Sequence, residues 1–288
     1  WIRGSKGIAF GALGALLSRR PLIWDVDYEL PSRGMVRWLH RLGLWASEAV
    51  VFQYSAAPKG IFGENLAEQY SSKFRTIIPG INLESPESFW TTRTQREMSR
   101  ERHFVVLQVG TVCERKNQRV IVDALARLQK RGLAEAVELW FAGGVFEEAY
   151  AEDLWKVVAS QELNEMVRFL GWRSDIHKLM SDADLLVMPS EDEGIPNTVQ
   201  EAMAIGLPVA VSEAGGMPEV VSDGETGWVL DDDEADAWAD RIQWCLNHPA
   251  ESEAVGDRGC AYAHQHFGVE NWGAAYGQVV RGLLENGH

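Results

Sequence analysis

The sequence lacks an uncharged apolar run of the roughly 18 residues that a membrane-spanning helix requires. Its most apolar early stretch, GIAFGALGALL at 7–17, follows Arg3 and Lys6 and ends at two arginines with no small-residue cleavage site after it. We therefore interpret this stretch as a buried core helix rather than a targeting segment.

Cysteine is scarce, and no histidine or cysteine spacing is typical of a metal site. The three cysteines are scattered and odd in number, which gives no disulfide framework and fits a reducing compartment. The acidic run Asp231–Asp233 is interpreted as a polar turn that opens a helix. We expect a cytoplasmic protein with no cofactor and no metal.

Basic charge is lacking from most of the chain, whose formal net charge is −15. Residues 1–90 carry ten Lys and Arg against eight Asp and Glu, whereas the remainder carries 17 against 34. A protein that binds nucleic acid normally presents a basic face. We therefore expect no nucleic-acid partner.

What the chain does contain, from residue 104 onward, is an alternation of short apolar runs with segments of helical periodicity. Strands are predicted at 104–110, 137–144, 167–171, 184–190, 207–216 and 227–230, and helices at 118–132, 146–162, 175–183 and 196–206. This alternation predicts an α/β fold with a parallel sheet covered on both faces. Its ligand should lie beyond the carboxyl ends of the strands, at loops 110–117, 143–146, 171–174, 190–197 and 213–217.

The segment before residue 90 also alternates, with helices predicted at 5–18 and 33–47 and strands at 21–26, 49–55 and 76–82. These are too few units for a complete sheet. We expect a partial N-terminal α/β domain at 1–90, a Rossmann-like domain at 91–266, and a C-terminal helix at 267–288 that packs back on the body.

The stretch EDEGIPNTVQEAMAIG at 191–206 joins a predicted strand to a predicted helix. Pro196 suits the first helical position, and Asn197 or Thr198 can cap the helix. The exposed N–H groups and the positive end of the helix dipole favour an anion there.

Two carboxylates flank this turn. We expect Glu201 in the first helical turn and Glu193 in the loop above it, with both facing the crevice at the carboxyl edge of the sheet. One ligand with phosphates and sugar hydroxyls would use both features. The alternative is that Glu201 only compensates the helix dipole and Glu193 is solvated.

From Val109 to Gly227 the chain resembles the family 4 (group 1) glycosyltransferases, which are retaining enzymes of the GT-B fold that use nucleotide sugars. Three segments match in the family's order: GTVCERKNQ (110–118), VRFLG (167–171) and SDADLLVMPSEDEGIPNTVQEAMAIGLPVAVSEAGGMPEVVSDGETGWV (181–229). The last contains a glutamate-x7-glutamate signature. The resemblance implies a GT-B-like α/β fold.

The resemblance also implies roles for single residues. Glu193 would contact the donor sugar, Glu201 the ribose, and Lys116 the diphosphate. Arg115 is the expected substitute cation, because Thr111 stands where many members have an arginine. The expected donor-binding residues are Gly110, Thr111, Gly171, Trp172, Gly194, Ile195, Pro196, Asn197, Thr198 and Glu201. The alternative for Lys116 is a surface lysine at a helix start.

Two departures from the family pattern stand near the N-terminus. Asp27 occupies a position where several members carry a histidine. The family's N-terminal half normally begins about a hundred residues earlier, with a Gly-rich loop near the diphosphate. We therefore expect either a fragment or a shortened variant.

The expected function is transfer of a hexosyl unit, with retention, from a UDP- or GDP-sugar such as GDP-mannose to a glycan or a lipid-linked acceptor in polysaccharide biosynthesis. One alternative is a catalytically inactive nucleotide-sugar-binding or partner-dependent subunit. Another is a nucleotide-sugar epimerase on the same fold.

A basic and aromatic helix is predicted at 33–45, RGMVRWLHRLGLW. Its arginines recur every fourth residue, and Trp38, Leu42 and Trp45 fall on a neighbouring face. One interpretation packs the tryptophan face on the sheet. The other lays the helix on the inner face of an anionic membrane as a peripheral contact, which would suit a lipid-linked acceptor.

Overall fold

The structure is a computed structural model that describes residues 1–4, 7–18, 20–26, 34–83, 103–231 and 233–285. The chain divides into two compact units. The first contains Trp1–Ile81, Glu193–Ile195 and Phe267–His288, and the second contains Asn82–Asp192 and Pro196–His266.

The first unit is built on a parallel sheet of four described strands in the order β1-β2-β3-β4. Its strands are β1 (Ile2–Arg3), β2 (Ile23–Val26), β3 (Ala49–Phe52) and β4 (Phe74–Thr76). Its helices are α1 (Ile8–Ser18), α2 (Gly34–Ala46), α3 (Ala57–Phe62), α4 (Glu64–Gln69) and, from the C-terminal segment, α12 (Val269–Glu285).

Alternate side chains of this sheet enter two different cores, because successive strand residues point to opposite faces. On one face Trp24 and Phe52 pack with helical residues that include Ile8 and Leu44. The other face packs against α12 through Tyr276, in a cluster with Ile23, Ala49, Val51 and Ile77. The Tyr276 hydroxyl also donates a hydrogen bond to Asp25 Oδ2 at 2.9 Å.

The second unit holds a parallel sheet of six described strands in the order β10-β9-β8-β5-β6-β7. Its strands are β5 (Phe104–Val109), β6 (Val137–Ala142), β7 (Val167–Gly171), β8 (Leu185–Met188), β9 (Val209–Ser212) and β10 (Trp228–Leu230). Its helices are α5 (Gln118–Lys130), α6 (Glu148–Ser160), α7 (Ile176–Asp182), α8 (Asn197–Ala204), α9 (Met217–Val220), α10 (Ala235–Asn247) and α11 (Pro249–His266).

The strand order of this second sheet reverses at β5. From β5 the chain adds β6 and then β7 on one side, and it then returns to add β8, β9 and β10 on the other. In open parallel sheets such a reversal leaves a crevice outside the carboxyl ends of the two strands concerned, where ligands bind. The loops after β5 and β8 therefore mark the place to look for a site.

The α/β class with parallel sheets is confirmed, and all six strands predicted after residue 104 are present. Strand 76–82 was predicted wrongly: β4 ends at Thr76, because Pro79 and Gly80 interrupt the apolar run that suggested a strand. Helix 7–17 exists as α1, but it is buried on one side only. Asp27 lies outside the described residues.

Candidate nucleotide-binding site

The loops after β5 and β8 are held together by two hydrogen bonds. The amide of Glu191 donates to the carbonyl of Arg115 at 3.0 Å, and Nη1 of Arg115 donates to the carbonyl of Asp192 at 2.7 Å. Arg115 therefore anchors the loop that follows β8, in addition to bringing a positive charge to this edge of the sheet.

Lys116 is a buried lysine with 9% exposure, and it ends a short 3-10 turn, Glu114–Lys116. Its ammonium lies 3.8 Å from Sδ of Met188 at the end of β8, and its carbonyl accepts a hydrogen bond from Nε2 of Gln108 at 2.7 Å. A side chain at Gly110 would place Cβ 3.1 Å from Cε of Lys116, in a backbone conformation with φ +151° that disfavours other residues. Glycine at position 110 thus makes room for the lysine.

The loop after β6 supports the loop after β5 from the other side. The Val112 amide donates to Gly144 O at 2.9 Å, and the Phe146 amide donates to Val112 O at 3.1 Å. The amide of Glu114 is bound by Oε2 of Glu147 at 3.0 Å. Two backbone hydrogen bonds and one side-chain acceptor thus hold the turn that precedes Lys116 against the loop after β6.

Helix α8 begins at the same edge of the sheet. Pro196 is its N-cap in an extended conformation, and its carbonyl accepts from the amides of Val199 and Gln200 at 3.0 and 3.3 Å. The amides of Asn197 and Thr198 are the first two of the helix, and no earlier turn supplies intrahelical carbonyls for them. They face out of the helix end and suit an anion.

Glu201 is the fifth residue of α8 and its side chain is 35% exposed. Desolvation by burial raises the pKa of its carboxyl above the ordinary value, and His177, whose Nε2 lies 4.0 Å from Oε2, opposes the rise. A partly desolvated carboxylate gains most from hydroxyl or other hydrogen-bond donors. The prediction that Glu201 lies in the first helical turn was wrong, because the helix begins at Asn197 and Glu201 falls in its second turn.

Gly171 is the last residue of β7, and Trp172 directly follows it. The carbonyl of Gly171 accepts from the amide of Gly143 at 2.8 Å. Trp172 is 78% exposed, so its ring adds little to the core. Thr111, also exposed, gives its carbonyl to Nε2 of Gln118 at 2.9 Å.

Residues Glu193–Ile195 belong to the first unit, where Gln53 holds them. Gln53 directly follows β3, and its Oε1 accepts a hydrogen bond from the Ile195 amide at 3.2 Å. A side chain at Gly194 would place Cβ 2.6 Å from the same oxygen, so any other residue there would require the Gln53 side chain to move. Glu193 is half-buried, whereas the alternative interpretation makes it a solvated side chain.

Among the described residues there is no group of three or more His, Cys, Asp and Glu side chains that could hold a metal ion. Asp231 instead accepts the amide of Asp233 through Oδ1 at 3.0 Å, as in a turn. Asp232 lies outside the described residues.

A comparison with protein families decides the classification of this chain. The family model described as "Glycosyl transferases group 1" matches residues 91–260. The chain belongs to this family. The match spans the second sheet and the loops of the candidate site.

Curated relatives of this group 1 glycosyltransferase chain are bacterial glycosyltransferases by name. A D-inositol 3-phosphate glycosyltransferase of Corynebacterium aurimucosum is 28% identical over 193 residues, which is 66% of this chain and 45% of that one. A lipopolysaccharide core biosynthesis glycosyltransferase of Rhizobium meliloti is 28% identical, over 61% of this chain and 49% of that one. The chain thus spans about half the length of the curated relatives it matches.

Solved structures show the fold. Anabaena HepE in complex with UDP superposes with a TM-score of 0.81 at 23% identity, covering 97% of this chain and 77% of that one. A sucrose-phosphate synthase from Thermosynechococcus elongatus superposes with a TM-score of 0.75 at 23% identity, covering 96% of this chain and 72% of that one. The expected GT-B-like fold class is thereby confirmed.

The structure brings most of the sequence-predicted site residues to the carboxyl edge of the second sheet. These are Gly110, Thr111, Arg115, Lys116, Gly171, Trp172, Pro196, Asn197, Thr198 and Glu201. Lys116 is buried, so its interpretation as a surface lysine is wrong. Pro196 is the N-cap and not the first helical residue, and neither Asn197 nor Thr198 caps the helix with its side chain.

Sequence reasoning missed two residues that contact the predicted site residues, Gln53 and His177. Gln53 sits one position after a buried strand, which is a signal that a residue lies at the carboxyl edge of a sheet. His177 stands one residue inside α7, and nothing in the sequence relates it to Glu201.

Proposed function

We propose that this chain is the donor-binding part of a retaining glycosyltransferase that moves a hexosyl unit from a nucleotide sugar, UDP-linked in the first instance, to a glycan or lipid-linked acceptor. The observation that carries the proposal is the position of Lys116. It is a buried ammonium at the switch point of a parallel sheet, on a loop that is braced on both sides.

The diphosphate of the donor is the anion that Lys116 would contact in this proposal. A buried ammonium forms a strong, charge-assisted hydrogen bond with a phosphate oxygen. Lys116, the guanidinium of Arg115 and the first amides of α8 present three kinds of donor to phosphate oxygens. They would stabilise the charge that develops when the nucleoside diphosphate departs, and they do so without a metal ion.

The two glutamates take different parts of the donor in this proposal. Glu201 accepts hydrogen bonds from the ribose hydroxyls, and Glu193 contacts the sugar that is transferred. The backbone from Gly194 to Thr198 lines the diphosphate, and Trp172 with Gly171 contacts the base. The acceptor attacks from the face that the leaving group vacates, so the anomeric configuration is kept.

The choice of UDP rests on structural relatives that were solved with UDP and with UDP-glucose. The assignment of residues 91–266 to the donor and residues 1–90 to the acceptor side, with the helix at 267–288 packed back, is part of the same proposal. So are the cytoplasmic location and a role in polysaccharide biosynthesis.

Three outcomes of one assay distinguish the candidate functions. The chain is incubated with UDP-glucose, UDP-N-acetylglucosamine or GDP-mannose, with and without a pool of glycan and lipid-linked acceptors, and products are analysed by mass spectrometry. Acceptor-dependent release of nucleoside diphosphate together with a glycosylated product supports the transferase. Binding without turnover indicates an inactive or partner-dependent subunit, and isomerised donor without acceptor indicates an epimerase.

A further inference from the structure

Gln108 is a polar side chain at a buried position of strand β5. It is 1% exposed, and it shares a face of the sheet with Val106, which belongs to the same buried cluster as Val120 and Ile121 of α5. Burying an amide costs free energy unless its hydrogen bonds are made, and Oε1 of Gln108 has no hydrogen-bond partner among the described residues. An apolar side chain of similar size would fill this position without that cost. The amide therefore indicates a role for Gln108 besides core packing.

The hydrogen bond that Gln108 makes goes to the backbone of Lys116. Its Nε2 donates to the Lys116 carbonyl at 2.7 Å. Asn117 follows in the left-handed conformation with φ +45°, and the Val120 amide donates to the Asn117 carbonyl at 3.3 Å. The helical hydrogen bonding of α5 thus begins after Lys116, and the Lys116 carbonyl lies outside the helix, where the chain turns. Gln108 supplies a donor to this carbonyl from a central strand of the sheet.

The orientation of this peptide group determines where the lysine side chain starts. The carbonyl group and the side chain of Lys116 are attached to the same Cα, so a fixed carbonyl limits the directions that the side chain can take. The four-carbon stem of a lysine is flexible. Here it runs past Gly110, and its ammonium lies 3.8 Å from Sδ of Met188. Gln108 thus holds the base of the side chain, while Gly110 and Met188 border its stem and its end.

We propose that Gln108 is a positioning residue for Lys116: its amide holds the turn Glu114–Lys116 in the conformation that keeps the lysine ammonium at the switch point of the second sheet. Because Gln108 is buried, it acts through Lys116 rather than on a ligand. A binding group is most effective when neighbouring side chains fix its geometry before the ligand arrives. The inference rests on the proposed function, because Lys116 is the group that the proposal assigns to the diphosphate.

Gln118 provides a matched comparison on the same loop. It is also 1% exposed, its Nε2 donates to the Thr111 carbonyl at 2.9 Å, and its Oε1 also lacks a hydrogen-bond partner in the part of the chain that the structure describes. Gln118 thus holds the start of the loop, whereas Gln108 holds its end at Lys116. Replacing either glutamine removes one buried amide and one loop hydrogen bond, but of the two it is Gln108 that is bonded to Lys116.

The test measures UDP affinity by titration calorimetry in a double-mutant cycle of Gln108→Met and Lys116→Met. Methionine keeps the length of the glutamine side chain and donates no hydrogen bond. Gln108→Met should weaken UDP binding about fivefold, the loss that a typical net hydrogen-bond contribution predicts. In the Lys116→Met background it should cause no further loss, because its effect passes through the ammonium. Gln118→Met, and Gln161→Met at the end of α6, should bind UDP as the parent does.

Hydrogen–deuterium exchange of the ligand-free proteins measures the same role without UDP. The amides of residues 111–117 should exchange faster in Gln108→Met than in the parent, because the turn opens more often. The amides of α11 should exchange at the same rate in both proteins. If Gln108→Met does not fold, Gln108→Leu takes its place as a second side chain without a donor.

Several results would overturn the inference. They are equal UDP affinity of Gln108→Met and the parent, an equally large loss in the Lys116→Met background or in Gln118→Met, and unchanged exchange at 111–117. A lower melting temperature of Gln108→Met with unchanged UDP affinity would show a purely structural role and also overturn it. If the parent binds no UDP, the donor-site proposal fails, and the exchange rates alone decide whether Gln108 holds the turn.

Discussion

The two parallel sheets of this chain differ in the order of their strands. The described strands of the first sheet lie in sequence order, β1-β2-β3-β4, so their order does not reverse at a switch point. The second sheet reverses its order at β5 and opens a crevice lined by loops. In the second unit the strand order therefore places the candidate site where the loops after β5 and β8 diverge.

The parts of the chain before and after residue 90 also differ in charge. Residues after 90 hold most of the acidic excess, yet the loops of the candidate site bring Arg115 and Lys116 to one edge of an acidic unit. Nearby negative charge would repel a diphosphate, so the proposed binding depends on a few fixed cations and helix amides. The predictions below begin with those cations.

The largest effect is expected for Lys116→Met, which keeps most of the buried stem and removes the ammonium. Loss of a charge-assisted hydrogen bond costs about 1.5 to 3 kcal/mol, so UDP and UDP-sugar affinity should each fall about 10- to 150-fold. Isothermal titration calorimetry measures this, with Lys130→Met as the exposed control on α5. Unchanged affinity in Lys116→Met would assign the diphosphate to other residues.

Glu201→Gln and Glu193→Gln should separate the nucleotide from the transferred sugar. Glu201→Gln should weaken UDP binding by about 1 kcal/mol, or about fivefold, because a ribose hydroxyl loses its charged acceptor. Glu193→Gln leaves UDP affinity unchanged and lowers turnover with UDP-sugar. Equal losses in both variants for UDP alone and for the full donor would contradict the division of roles.

The pH dependence of UDP affinity gives a second test of the role of Glu201. Burial raises the pKa of Glu201, so its carboxylate takes up a proton at a higher pH than an ordinary glutamate. The UDP affinity of the parent should therefore fall as pH is lowered through that raised value, and the affinity of Glu201→Gln should not show this step. A step of equal size in both proteins would exclude Glu201 as its cause.

Gln53→Ala should have a smaller, local effect in the first unit. It removes the acceptor that holds the Ile195 amide, which is worth about 1 kcal/mol. Turnover should fall severalfold while UDP affinity stays within twofold of the parent. Gln69→Ala, at the end of α4, is the control for an amide side chain lost elsewhere in the unit.

The smallest effect concerns stability at the opposite end of the second sheet. Glu138 is desolvated, which by itself raises its pKa, but hydrogen bonds from His103, Trp140 and Arg168 outweigh burial and hold the pKa below its ordinary value. Its contribution to folding is therefore present above the ordinary glutamate pKa and is lost as pH falls through the lower folded value. Glu138→Gln should lower the free energy of unfolding by about 1 kcal/mol at pH 7.

Urea unfolding at pH 7 and pH 3 measures this contribution, with the exposed Glu135→Gln as control. The difference between parent and Glu138→Gln should shrink at the lower pH. A difference that stays constant would show that the carboxylate charge does not carry the stabilisation.

The sequence predicted the second unit better than the first, for a physical reason. Strands β5, β8 and β9 are almost entirely buried on both faces, so each appears as a short, mainly apolar run that ends at a turn signal. Strand β4 is short, exposed and polar, and the apolar run that follows it is coil around Pro79. Helix α1 was interpreted as a core helix, but Phe10 and Leu17 are exposed. Because α1 contains no charged residue, its sequence does not indicate which face is exposed.

At the candidate site, the glutamate signature and the loop after β5 were found from the resemblance, and the strand order then placed them at a switch point. The burial of Lys116 depends on Gly110 and on the end of β8, which come from separate parts of the chain. The contacts of Gln53 and His177 likewise depend on tertiary structure, so no local pattern predicts them. The catalytic and binding roles themselves stay predictions.

The central claim is that Lys116 and its neighbours bind a nucleoside diphosphate without a metal ion. Titration calorimetry of the parent chain and of Lys116→Met with UDP and GDP, in buffer containing EDTA, tests it most directly. The account predicts one-to-one binding by the parent that survives EDTA and falls at least about tenfold in Lys116→Met. It is contradicted if neither nucleotide binds at millimolar concentration, or if binding requires a divalent ion and is the same in both proteins.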